Sequence, residues 1–208
     1  LFCEAFIQEV GFKKTAKEAF IMLNKISEKF HAWAKGWRVI ILLIADALMM
    51  GYVMPVAGAI MALAANNSVL PLDLMFFYTP EKAFEMIEKY GAAGRAIYIK
   101  IELSADIIYP IIYTLFYALL ISWLFQRGFK PDSPMQKWNV MPMGAWLFDL
   151  LENVGTVSMV SMYPSQPSIL AWITMLFGTL KWAFALISIG LVLVGLVRAA
   201  LNGFRKQT

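Results

Sequence analysis

Cysteine and histidine are almost absent from this 208-residue chain, which has one of each, Cys3 and His31. A single cysteine excludes an intrachain disulfide and CxxC redox chemistry. With one histidine, neither a bis-histidine haem nor a His/Cys zinc site can be built within one chain. No metal or cofactor is therefore expected. Charge is also scarce: Asp, Glu, Lys and Arg make up 15 % of residues, against about 25 % in soluble domains. P-loop, dinucleotide, nucleophile-elbow and HExxH motifs are missing. These absences exclude a soluble enzyme, a disordered chain and a disulfide scaffold, and they leave a reaction unnamed.

What is present is apolar. Such residues form 60 % of the chain and are gathered into long blocks, the mark of an integral membrane protein. The blocks run over about 39–65, 96–125, 141–162 and 169–197. Each reaches the roughly 20 residues that cross a bilayer as a helix, and none alternates as a barrel strand would. The expected fold is all-α, a four-helix transmembrane bundle (38–208) preceded by an N-terminal amphipathic interfacial helix (1–37).

Lysine and arginine give the orientation. Lys13, Lys14, Lys17, Lys25, Lys29, Lys35 and Arg38 precede the first block. Arg127, Lys130 and Lys137 follow the second, and Arg198, Arg205 and Lys206 follow the fourth. The opposite side has Lys82, Lys89 and Arg95, with Lys100 at the boundary. Positive residues stay inside, so both termini are expected in the cytoplasm, or on the matrix side of an organelle. The net charge of +4 is spread over these points, and no nucleic-acid partner is expected.

Phe12, Ala16, Phe20, Leu23, Ile26, Phe30, Trp33 and Trp37 recur every three or four residues. That spacing describes a helix lying on the membrane surface or docked on another subunit. The chain begins at Leu1 rather than Met, which points to a processed or truncated N-terminus. In the outer loop, Thr79-Pro80-Glu81 reads as a helix start and Gly91 as its end, giving a helix over about 80–90. Leu70, Leu72, Leu74, Met75, Phe76 and Phe77 before it suit a loop that dips into the membrane or lids the bundle mouth.

Ionisable residues inside the blocks are the candidate site, because each costs about 2.5–3.5 kcal/mol to insert. They are Asp46, Glu102, Asp106, Asp149, Glu152 and Lys181. Asp149, Glu152, Asn153 and Thr156 form one helical stripe, extended by Trp146; Glu102, Asp106, Tyr109, Tyr113 and Tyr117 form another. Thr174, Gly178, Lys181 and Ser188 share a third face, where Gly178 admits a close neighbour. At 1.5 Å per residue, Asp46, Asp149, Glu152 and Lys181 fall roughly 10–15 Å from the cytoplasmic edge, with Asp106 farther out. Pro110 cannot donate to the carbonyl of Asp106, nor Pro55 to that of Gly51, so kinks with freed carbonyls are expected there.

The interior acids Asp46, Asp106, Asp149 and Glu152 face one interior base, Lys181. Lys181 can neutralise one of them, and an uncompensated buried carboxyl holds a proton or an outside partner. Bland readings stand beside this: Lys181 with Glu152 or Asp149 as a helix staple, Asp46 snorkelling near Arg38, the tyrosines as packing. The functional reading is a lipid- or amphiphile-binding site, or a proton-carrying one, open to acid–base chemistry. The alternatives are an accessory subunit of a larger membrane complex and a proton-linked carrier. Membrane lipids and partner subunits are the expected partners.

Tyr90-Gly91 with Gly94-Arg95, Asp106-Ile107-Ile108-Tyr109-Pro110, Asp149-Leu150-Leu151-Glu152-Asn153 and Lys181-Trp182 together resemble a pattern in small uncharacterised four-helix integral membrane proteins. The resemblance spans roughly residues 70 to 195. It implies the fold and no activity.

Overall fold

The computed structural model describes the backbone over residues 2–205 and side chains over 17–203. Leu1 and Lys206, and the side chains of Cys3, Phe12, Lys13, Lys14, Ala16 and Arg205, lie outside those ranges. The protein is all-helical, with no strand among the described residues. The helices are α1 (Phe2–Trp33), α2 (Gly36–Leu48), α3 (Met54–Ala65), α4 (Pro80–Lys89), α5 (Gly91–Glu102), α6 (Ala105–Gly128), α7 (Pro142–Ser161) and α8 (Ser168–Arg205).

Three helical stretches are long and apolar enough to cross a membrane: Gly36–Ala65, Gly91–Gly128 and Ser168–Gly203. Helix α7 has 20 residues, but Asp149, Glu152 and Asn153 lower its apolarity and take it out of that group. In the first and third stretches only 17 % of the apolar window is buried. Their aliphatic side chains, Ile40, Ile44, Leu48 and Leu63 on one and Leu186, Leu193 and Val197 on the other, point outward. Water does not accept that much contiguous apolar surface, and hydrocarbon does.

The two prolines have different outcomes. Before Pro55 the helix widens into a π-turn over Met49–Val53 and continues into α3. Asn66 then ends α3 with φ 49°, a left-handed position that asparagine tolerates. The second stretch breaks at Leu103–Ser104 rather than at Pro110. Ser104 closes α5 by donating its hydroxyl to the Lys100 carbonyl at 2.5 Å, and its own carbonyl accepts from Ile107 and Ile108, both at 3.2 Å.

Along the described side chains of α1 the apolar residues differ in exposure. Phe20, Ile21, Met22 and Leu23 are all exposed, whereas Phe30 packs with Val39, Phe116 and Leu119. Its C-terminal turns dock on the chain's own α6–α7 connection. The imidazole Nε2 of His31 donates to the Gln136 carbonyl at 2.8 Å, which leaves Nδ1 to accept from the Gln126 amide at 3.2 Å. The buried Asn139 amide donates to the Ser27 carbonyl (3.1 Å) and the Ser122 hydroxyl (2.8 Å).

Helix α4 begins at Pro80 behind Thr79 and gives way to α5 at Gly91, whose φ of 61° suits glycine. Met61, Leu72, Ala83, Ile87, Tyr90, Tyr98 and Met159 form the core there. The connection from Asn66 to Thr79 enters this core: Leu72 is fully buried in a 3-10 turn over Leu72–Leu74. It is tied down by Tyr90, whose hydroxyl donates to the Leu70 carbonyl at 2.7 Å, and by Tyr98, whose hydroxyl accepts from the Leu72 N–H at 2.8 Å. Helices α7 and α8 approach closely at glycines. A Cβ on Gly155 would overlap Thr174, and one on Gly178 would overlap the Glu152 carboxylate.

Candidate functional site

Lys181 on α8 is the hub of the buried polar residues. Its ammonium lies 2.5 Å from Oε2 of Glu152 and 3.5 Å from Oδ1 of Asp149. Gly178, one turn before Lys181, leaves the space that the Glu152 carboxylate fills. Asp149 also accepts from the Tyr113 hydroxyl at 2.7 Å, so α6, α7 and α8 meet at this carboxylate. The i, i+3 spacing of Asp149 and Glu152 points both acids at one cation.

One turn farther along α7, the Asn153 amide donates to the backbone carbonyl of Asp106 at 3.0 Å. Pro110 leaves that carbonyl without its helical donor, and Asn153 supplies the replacement. The Asp106 side chain is 5 % exposed and its Oδ2 has no partner; Glu102, at the end of α5, is 2 % exposed and its Oε2 has none. Two carboxyl groups are thus buried beside a lysine that other acids already occupy.

The connection from Asn66 to Thr79 contributes a residue absent from the expected set. The half-buried Asp73 accepts from the Tyr98 hydroxyl at 3.1 Å, which brings an acid down onto the layer. Tyr78 is buried near Glu152, and burial first, then that negative neighbour, push its hydroxyl above the usual tyrosine range, so it stays protonated. Phe76 rests on Trp182 with ring centres 5.1 Å apart. Asp73, Phe76, Tyr78, Glu152, Gly178 and Trp182 border a cavity of about 10 Å³, room for about one water molecule. The site is closed.

The structure therefore joins Tyr113, Asp149, Glu152 and Lys181, and attaches Asp106 through Asn153. Tyr109 packs edge-on against Tyr113 with centroids 5.4 Å apart. Thr156 is fully buried with an unpartnered hydroxyl. Tyr117 packs edge-on against Phe116. Asp46, expected in the same layer, makes no ion pair with Lys181 among the described residues: it is 9 % exposed and its Oδ1 has no partner. Nor does Arg38 turn toward it, since that guanidinium donates to the Trp33 carbonyl and lies over Trp37. The sequence missed Asp73, Tyr98 and Tyr78. The one signal was an acid in the middle of the apolar run 70–77.

Among the described residues no three His, Cys, Asp or Glu side chains converge closely enough to hold a metal ion. Comparison with protein-family profiles, curated proteins and solved structures returns no significant match to this chain.

Proposed function

We propose that this chain is a four-span integral membrane protein, with α7 as the additional span, both termini on the cytoplasmic or matrix side and α1 at that surface. In this reading its acidic layer binds a lipid or small amphiphile with a basic head group. The observation that carries the reading is that Oε2 of the buried Glu102 and Oδ2 of the buried Asp106 each lack a partner, while Lys181 is already engaged by Glu152 and Asp149. Buried groups of this kind are costly unless a proton or a cation satisfies them. A proton serves in the closed state. An ammonium head group replaces it when the 66–79 connection lifts, and the aromatic rings of Phe76, Tyr78 and Trp182 suit a cation. The spans and their orientation rest on α7's length and on the lysine and arginine distribution.

The test is thermal stability in a mild nonionic detergent with three additives of equal chain length: an alkylamine, an alkyl alcohol and an alkyl sulfate. The amine is expected to raise the melting temperature, and the alcohol and sulfate are not. The double change Glu102→Gln with Asp106→Asn should remove the amine effect. Equal response to amine and alcohol, or an amine effect that survives the double change, contradicts the reading.

A further inference from the structure

At the end of α2 remote from the acidic layer, an open groove of about 440 Å³ runs between the α1–α2 corner and α6, lined by Trp33, Trp37, Arg38, Ile41, Leu115 and Leu119. That volume fits one ligand of modest size. Leu119 is buried and Leu115 half-buried, while Trp33, Trp37 and Ile41 are each more than half exposed. The groove thus has an aliphatic floor and a tryptophan rim, the order of layers at a membrane–water boundary.

Arg38 is the one charged residue of the lining. Its guanidinium has five N–H donors, and one of them is used, on the Trp33 carbonyl at 3.3 Å. Among the described residues no carboxylate lies within ion-pair distance of it. The exposed Lys35 lies one turn away on the same corner. An open cationic fork above an apolar channel complements an anion that carries a hydrocarbon tail. A second copy of this chain would bring Lys35 and Arg38 against their own kind.

We propose that this groove holds one anionic phospholipid, its acyl chain along Ile41, Leu115 and Leu119 and its phosphate on Arg38. Cytoplasmic leaflets supply such lipids. The site is separate from the acidic layer and takes a ligand of opposite charge.

Native mass spectrometry of the delipidated full chain, titrated with phosphatidylglycerol or phosphatidylcholine of identical chains, tests this. One phosphatidylglycerol should bind about tenfold more tightly than phosphatidylcholine, whose phosphate is the same but whose choline cation is repelled by Arg38 and Lys35. Arg38→Gln should erase that preference, and Arg38→Lys should keep part of it. Ile41→Trp, at an exposed position, should fill the channel and weaken both lipids. Glycerophosphate without acyl chains should not compete. The Glu102→Gln, Asp106→Asn protein should bind phosphatidylglycerol as the unmodified chain does, which separates this site from the amphiphile site. Equal binding of the two lipids, a preference that survives Arg38→Gln, or competition by glycerophosphate overturns the proposal.

Discussion

The side-chain amide of Asn153 on α7 donates to the backbone carbonyl of Asp106 on α6 at 3.0 Å. It replaces the N–H that Pro110 cannot offer. Asn153→Ala should leave this carbonyl buried and unpaired, at a cost of about 1–3 kcal/mol. Pro110→Ala restores a backbone donor, so the Asn153→Ala change should cost less in that background. Denaturant titration of the four proteins in detergent measures the difference, and a coupling of zero would mean that the amide does not serve the carbonyl.

Lys181 holds Glu152 at 2.5 Å and Asp149 at 3.5 Å. Lys181→Met alone should destabilise the protein by about 3–5 kcal/mol, because two acids lose their cation. Adding Glu152→Gln should recover more than adding Asp149→Asn, since Asp149 keeps its bond from Tyr113. Melting temperatures of both double variants decide the order, and equal recovery would show that the two acids share the ammonium evenly.

Gly178 should not tolerate a methyl group. Gly178→Ala places a Cβ on the Glu152 carboxylate. The acid must move from Lys181, at about 1–3 kcal/mol for an overpacked interior. Gly190→Ala is the comparison. A methyl group added there meets nothing within 4 Å, and the change should be neutral within about 0.5 kcal/mol.

Parts of this arrangement were legible in the sequence because they follow from single residues. Pro110 identifies the deprived carbonyl, Thr79-Pro80-Glu81 and Gly91 coincide with the ends of α4, and Gly178 marks a close approach to Lys181. What was not legible depends on distant partners. Asp73 reaches the layer because Tyr98, 25 residues later, draws its loop inward. His31 fixes α1 through Gln126 and the Gln136 carbonyl, about a hundred residues away. The break at Leu103–Ser104 has no proline or glycine in it. Asp46 matched the others in depth but makes no ion pair with Lys181 among the described residues, and depth along a helix carries no information on rotation between helices.

Docking of α1 should be local in its energetics. His31→Ala removes the links to Gln126 and Gln136. Amide exchange over 27–34 should quicken while exchange in α7 and α8 stays unchanged. Faster exchange in all helices would mean that the docked helix supports the whole fold.

The start of α4 should be sensitive to acid. The Glu81 backbone N–H first, and then the Thr79 hydroxyl, hold its carboxyl below the ordinary value of 4.5. Stabilisation from a lowered carboxyl is complete above the ordinary value and is lost as pH falls through the lower folded-state value. Exchange of the first-turn amides of α4 should therefore rise below about pH 4 in the unmodified chain. Glu81→Gln should lack that rise.

The most direct measurement of the central claim is infrared difference spectroscopy of the protein in detergent with and without an alkylamine, read in the carboxylic-acid C=O region. If Glu102 and Asp106 hold protons in the closed state and lose them to water as an ammonium head group takes their place, the amine removes protonated-carboxyl absorption and carboxylate absorption appears. The Glu102→Gln, Asp106→Asn protein should show neither change. An unmodified chain whose protonated-carboxyl signal is absent at neutral pH, or unmoved by saturating amine, contradicts the account.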